Sequence, residues 1–235
     1  MRRQIKLIAQ NWHDSMRDKG FRERLVVAII GIVIMSFCTH FFFDFNETHK
    51  GGLVMNDWVL KELPAENVSM PITVFMLSVL VLFIIRAVPN PPMLVTALIA
   101  YSILLIFRII TIAVTHFQAP PELITLHDPV SDLVYGSKSI TRDLFFSGHI
   151  ATISLVYLCL AKKTDKHYLL FVAFSVAMLL LLQHIHYTID IICAPFFALG
   201  SLWLSKKMAH FRNIKIHSLQ DSHAHTHSHT QRAQR

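Results

Sequence analysis

YLLFVAFSVAMLLLLQHIHYTIDIICAPFFALGSLWL, residues 168–204, is the stretch on which the fold turns. As one helix it would run well over 50 Å at about 1.5 Å per residue, against a hydrocarbon core of about 30 Å. No glycine or proline separates its two halves, yet a turn near His184–Tyr187 divides it into two spans of ordinary length, Tyr168–Gln183 and Tyr187–Leu204. Outward from this pair lie four further apolar runs: Leu25–Phe43, Pro71–Val88, Met93–Val114 and Phe145–Ala161. Of the 235 residues, 53% are hydrophobic and only 16% charged, with a mean hydropathy of +0.47. An ordinary soluble domain is far less apolar. The expectation is an all-α polytopic membrane protein with six transmembrane helices in one bundle.

Three segments follow from the charges. Residues 1–24 form a basic N-terminal segment, read as an interfacial cytoplasmic helix; residues 25–205 form the membrane domain; residues 206–235 form a basic, His-rich cytoplasmic tail, read as disordered. Lysine and arginine in short loops mark the cytoplasmic side. Arg2, Arg3, Lys6, Arg17, Lys19, Arg22 and Arg24 precede the first span; Lys162, Lys163 and Lys166 separate the fourth and fifth; Lys206, Lys207, Arg212 and Lys215 follow the sixth. With six crossings all three groups fall on one side, while Asp44, Glu47, Asp57, Glu62 and Glu66 crowd the first outward loop. Both termini are thus expected to be cytoplasmic.

The formal net charge of +7 sits beside membrane spans, so it sets topology and draws anionic headgroups rather than nucleic acid. Residues 1–24 are too polar, and too far from a small-residue cleavage site, for a removed signal peptide. Cys38, Cys159 and Cys193 fall inside spans, with neither a disulfide framework nor a CxxC metal site. His223, His225, His227 and His229 alternate with small polar residues, a pattern that can bind transition metals; no catalytic role is assigned to them. Asn46-Glu47-Thr48 and Asn67-Val68-Ser69 match the N-glycosylation pattern in the outward loop.

Two strings carry chemistry: SGH at Ser147–His149 and HYTID at His186–Asp190, each at the edge of an apolar run. Ionisable groups there are costly and usually functional. Under the six-span topology His149, His186, Asp190 and Arg108 converge on the exoplasmic or lumenal face. His186 and Asp190, four apart, share a helix face, so the carboxylate can fix the imidazole tautomer and leave the other ring nitrogen basic. His149 supplies an acid for a leaving alkoxide. Ser147 offers a hydroxyl and Gly148 a closely approachable amide, Arg108 a bidentate phosphate clamp. Asp143 could orient a histidine or contact a hydroxyl substrate, and Tyr187 is a further candidate substrate contact. Together these groups suit phosphate chemistry on a lipid, whereas His40, His116 and His184 are read as packed or headgroup-facing residues.

RDLFFSGHIATISLVYL (142–158) and HYTIDIICAPFFALGSLW (186–203) resemble the third and fourth motifs of the sphingomyelin synthase family, a branch of the type 2 phosphatidic acid phosphatase superfamily. RIITIAVTHFQAPP, residues 108–121, is similar to the second. The resemblance covers roughly residues 56–205, and the compact chain is similar to bacterial members. It implies a six-helix fold with a lumenal or external active site, His186 as nucleophile or base, Asp190 as its partner, His149 as the other catalytic histidine, and no metal or cofactor. The implied reaction passes phosphocholine or phosphoethanolamine from a glycerophospholipid to ceramide or a diacylglycerol-like acceptor. Departures lie in outward loops: the proline-rich first motif survives as Leu63-Pro64, Thr141-Arg142 replaces Cys-Gly, and the second motif ends in FQAPP, residues 117–121. The chemistry is therefore better specified than the substrate. A lipid phosphatase or phospholipase C-like hydrolase using the same residues is the alternative, although the superfamily's separate Lys-and-Arg phosphate motif is not evident. A non-enzymatic lipid-binding protein is the third.

Overall fold

The computed structural model describes residues 2–48, 52–126 and 144–208; Asp143 and the His-rich tail lie outside them. Eight helices occur in the described residues: α1 (Arg2–Arg17), α2 (Lys19–Thr48), α3 (Trp58–Glu62), α4 (Ser69–Ala87), α5 (Pro91–Thr115), α6 (Gly148–Cys159), α7 (Lys163–Leu182) and α8 (Thr188–Met208). Five of these, α2, α4, α5, α7 and α8, are long and apolar enough to cross a membrane. The chain is an integral multi-pass membrane protein. The expected turn after residue 183 is present: α7 ends at Leu182, His184 takes a left-handed backbone (φ 55°), and α8 starts at Thr188.

Five of the six expected spans reach membrane-crossing length as helices, and the fourth is shorter. Of the apolar run 145–161 only Gly148–Cys159 is helical, twelve residues that rise about 18 Å, short of the roughly 30 Å core. Ser147 caps the helix by accepting a hydrogen bond from Ile150 N, while Leu160 is extended. No residue of α6 is exposed: it is the central helix, wrapped by the others. A segment shielded by protein need not span lipid, and non-helical backbone at membrane depth is tolerated there.

The bundle combines small buried residues with large apolar side chains on its outside. Ala28, Ala100, Ala151, Ala194 and Ala198 are fully buried, whereas Phe41, Phe174, Phe196 and Val114 are each at least 68% exposed. Between helices already in lipid there is little hydrophobic gain, so association relies on close packing of small residues. At the α2–α5 contact, a Cβ on Gly31 would come within 3.0 Å of Ser102 Oγ. Around α6, Ile72, Val79, Leu104, Val172 and Val176 close the core.

Polar contacts fix helix direction. Gln183 Nε2 donates to Ser69 Oγ (2.7 Å) where α7 ends and α4 begins. At the other end of the same pair, Arg86 Nε and Nη2 donate to Asp165 Oδ2 and Oδ1 at 2.7 and 3.0 Å. Ser205 Oγ donates to Thr96 O (3.0 Å), so α8 ends where α5 begins. The starts of α4, α6 and α8 and the ends of α5 and α7 therefore gather at one end, opposite the lysine- and arginine-rich end.

Candidate active site

The two sequence strings meet through the main chain. Ser147 N–H donates to Asp190 O at 3.0 Å, joining the entrance of α6 to the first turn of α8. Before it, Phe145 and Phe146 both adopt positive φ, 77° and 95°, at a cost of about 1–3 kcal/mol each. Stacking of Phe146 on Phe197, centroids 4.4 Å apart and 16° from parallel, helps hold this kink. The kink turns the chain so that Gly148 and His149 open α6 beside α8.

His186 Nδ1 lies 3.4 Å from Asp190 Oδ2, with the two side chains 1% and 0% exposed. This is an ion-pair distance, long for a hydrogen bond, and among the described residues His186 Nδ1 and Asp190 Oδ1 have no hydrogen-bond partner. Asp190 Oδ2 also accepts from Tyr187 N at 3.0 Å. Buried polar atoms left unmatched are uncommon and call for a physical reason. With Nδ1 turned to the carboxylate, Nε2 is the nitrogen available for chemistry. The His149 ring stands edge-on to His186, centroids 6.5 Å apart, and is only partly buried.

Arg108, two turns before the end of α5, spans to α6. Its guanidinium carbon is 5.8 Å from the Phe43 ring centroid on α2. A Cβ built on Gly148 would collide with Arg108 Nη1 and Cζ and come within 2.7 Å of Nη2. Gly148 is therefore a seat for the arginine; its amide was the feature expected from sequence. His149, His186, Asp190, Ser147, Gly148 and Arg108 are thus brought together, and Ser147 is committed as the helix cap.

Tyr187 is fully buried, and its hydroxyl is taken up by outer loops: it accepts from Met55 N (3.2 Å) and donates to Gln118 O (3.1 Å). His184 is similarly occupied, its Nδ1 3.1 Å from Pro121 O and Nε2 3.2 Å from Leu63 O. Two of the departing loops, those holding Leu63 and residues 117–121, are thereby fastened over the turn carrying His186.

Asp57 was not singled out by sequence reasoning. It caps α3, accepting from Val59 N and Leu60 N, and also accepts from Thr188 N (2.6 Å) and Thr188 Oγ1 (3.1 Å). Asp–x–x–x before a short apolar helix signals an N-cap; a partner 131 residues away carries no local signal. Burial works to raise the Asp57 pKa, but the hydrogen bonds from Thr188 and the α3 amides outweigh it and hold the carboxyl below its usual value. The stability it supplies is complete above the unperturbed value of about 3.9 and is lost as pH falls through the lowered native value. Asp57→Asn is expected to cost about 1–3 kcal/mol, because a buried donor loses its acceptor, and to flatten the acid limb. Thermal melting in detergent from about pH 5 to pH 3 checks this; equal acid sensitivity in the variant would remove Asp57 from the account.

The chain is a multi-pass membrane protein with a two-histidine cluster enclosed at one end of its bundle. Residues 142–207, which carry that cluster apart from Arg108, match the family model described as PAP2 superfamily C-terminal. Phosphatidylcholine:ceramide cholinephosphotransferase 2 of Homo sapiens is 30% identical over 139 residues, 49% of this chain and 38% of the human protein. The protein of the same name from Macaca fascicularis is 30% identical over 137 residues, 48% of this chain and 38% of its own length; that from Rattus norvegicus is 29% identical over 139 residues, with 49% and 38% covered. The chain spans less than half the length of these relatives. No solved structure matches. The chain is thus similar to the C-terminal part of PAP2 superfamily proteins over residues 142–207 and to these cholinephosphotransferases over about half its length.

Proposed function

We propose that this chain is a lipid phosphotransferase that moves a phosphohead group, phosphocholine or phosphoethanolamine, from a glycerophospholipid to ceramide or a similar lipid hydroxyl. The observation that carries the reading is the buried His186–Asp190 pair facing His149 at 6.5 Å between rings, a separation at which one phosphate can touch both. His186 Nε2 attacks phosphorus, the bond from phosphorus to the glycerol oxygen breaks, and His149 protonates that oxygen, releasing diacylglycerol. The acceptor hydroxyl then gives its proton to His149 and attacks the phosphohistidine, freeing His186. Arg108 neutralises the non-bridging oxygens.

The near-zero exposure of His186 and Asp190 favours transfer over hydrolysis, since excluding water protects a reactive intermediate. The positive-inside rule supports cytoplasmic termini and a site on the exoplasmic or lumenal face. The test is to incubate purified protein with headgroup-labelled phosphatidylcholine and phosphatidylethanolamine, with and without ceramide, beside His149→Ala. A ceramide-dependent phosphosphingolipid, lost in the variant, is expected. Release of water-soluble phosphohead group without ceramide would make the chain a hydrolase.

A further inference from the structure

We propose that α1 lies in the membrane plane as a binding element for anionic phospholipid headgroups, with Ile5, Ile8 and Met16 sunk to the acyl boundary and Arg3, Lys6 and Arg17 in the headgroup layer. The helix is two-sided. Ile5, Ile8, Trp12 and Met16 recur at spacings of three and four and form one stripe; Arg3, Lys6, Gln10, His13 and Arg17 form the opposite one.

Its rotation and height are set by the protein. Trp12 Nε1 donates to Val88 O and Asn11 Nδ2 to Pro89 O, both at 2.9 Å, and Trp12 packs edge-on to Phe21 at 6.4 Å. Val88 and Pro89 form the turn where α4 ends and α5 begins, which is where two spanning helices leave the hydrocarbon. The stripe containing Trp12 therefore faces the bundle at the level of the bilayer surface, yet Ile5 and Met16 remain 58% and 42% exposed. Among the described residues nothing covers them, at a level where lipid lies alongside. Apolar side chains at that height, backed by a basic face, have the make-up of an interfacial helix.

The charge selects the lipid class. Arg3, Lys6 and Arg17 are exposed, and Lys19, Arg22 and Arg24 continue the basic surface at the start of α2. Of the nearby acids Asp14, Asp18 and Glu23, Asp18 is engaged in capping α2 through Gly20 N and Phe21 N. Each basic side chain at an anionic surface is worth roughly fivefold in affinity.

Two measurements in nanodiscs of phosphatidylcholine and phosphatidylglycerol test the proposal. In a chain with Cys38, Cys159 and Cys193 replaced by serine, a nitroxide at Ile5→Cys is expected to collide with oxygen several-fold more, relative to a water-soluble nickel chelate, than one at His13→Cys. In the otherwise unaltered chain, spin-labelled phosphatidylglycerol is expected to be enriched around the protein over spin-labelled phosphatidylcholine. Combining Arg3→Gln, Lys6→Gln and Arg17→Gln should lower that preference at least about fivefold. Equal nickel access at the two label sites, or an undiminished preference in the triple variant, would overturn it.

Discussion

Asp190→Asn is expected to lose about 10³–10⁴-fold in turnover while the protein stays folded, by analogy with replacing the carboxylate of a catalytic triad. Asparagine is nearly isosteric and its carbonyl can still accept from Tyr187 N, so the start of α8 keeps its hydrogen bond. The electrostatics at His186 do not survive. In place of the carboxylate 3.4 Å from Nδ1, an amide N–H presented to that nitrogen would require a lone pair on Nδ1 and move the proton to Nε2, the atom assigned the attack on phosphorus. The carboxylate also stabilises the imidazole as positive charge develops, which a neutral amide cannot do. The checks are turnover in the ceramide assay together with a melting curve. A folded variant with full activity would remove the His186–Asp190 pair from the mechanism.

Gly148→Ala is expected to reduce kcat/KM by about 10²–10³-fold, the scale of losing one preorganised donor to a transition state, without destabilising the protein. Replacing a helical glycine by alanine ordinarily helps a helix by about 0.5–1 kcal/mol. Here the new methyl occupies the place of the Arg108 guanidinium, and the flexible end of that side chain can yield, so the helix survives while the arginine moves off station. Arg108→Ala should lose as much, and the double variant little more than either alone, because both substitutions remove the same interaction. Additive losses would mean that Gly148 and Arg108 act separately, and wild-type activity in Gly148→Ala would take Arg108 out of the reaction.

The spans outside α6 were legible because lipid imposes a length on any helix that faces it, and their apolar runs are close to that length. The fourth departs from that length as a helix. Its run of residues 145–161 is apolar throughout, yet the left-handed Phe145 and Phe146 and the Ser147 cap shorten the helix, and no local pattern announces two consecutive phenylalanines at positive φ. At the site, residue types and i,i+4 spacing suffice to pair His186 with Asp190. The Ser147–Asp190 backbone bond, the seat of Arg108 on Gly148 and the Asp57–Thr188 bridge are contacts between distant segments, which periodicity does not encode. Tyr187 illustrates the limit: its place beside His186 suggested a substrate contact, whereas its hydroxyl is engaged by Met55 and Gln118.

α6 opens with Ser147 N bonded to Asp190 O on the first turn of α8, so the site it opens onto lies among side chains at most 1% exposed. A phosphate ester dissolved in water would have to shed much of its hydration to reach that depth, a penalty of several kcal/mol for an ion. A membrane lipid already carries its phosphate at the border of hydrocarbon and has only to slide inward a short way. On the proposed reading, such burial would sort substrates by partitioning, favouring esters anchored in a leaflet over those free in solution before any side chain has touched them.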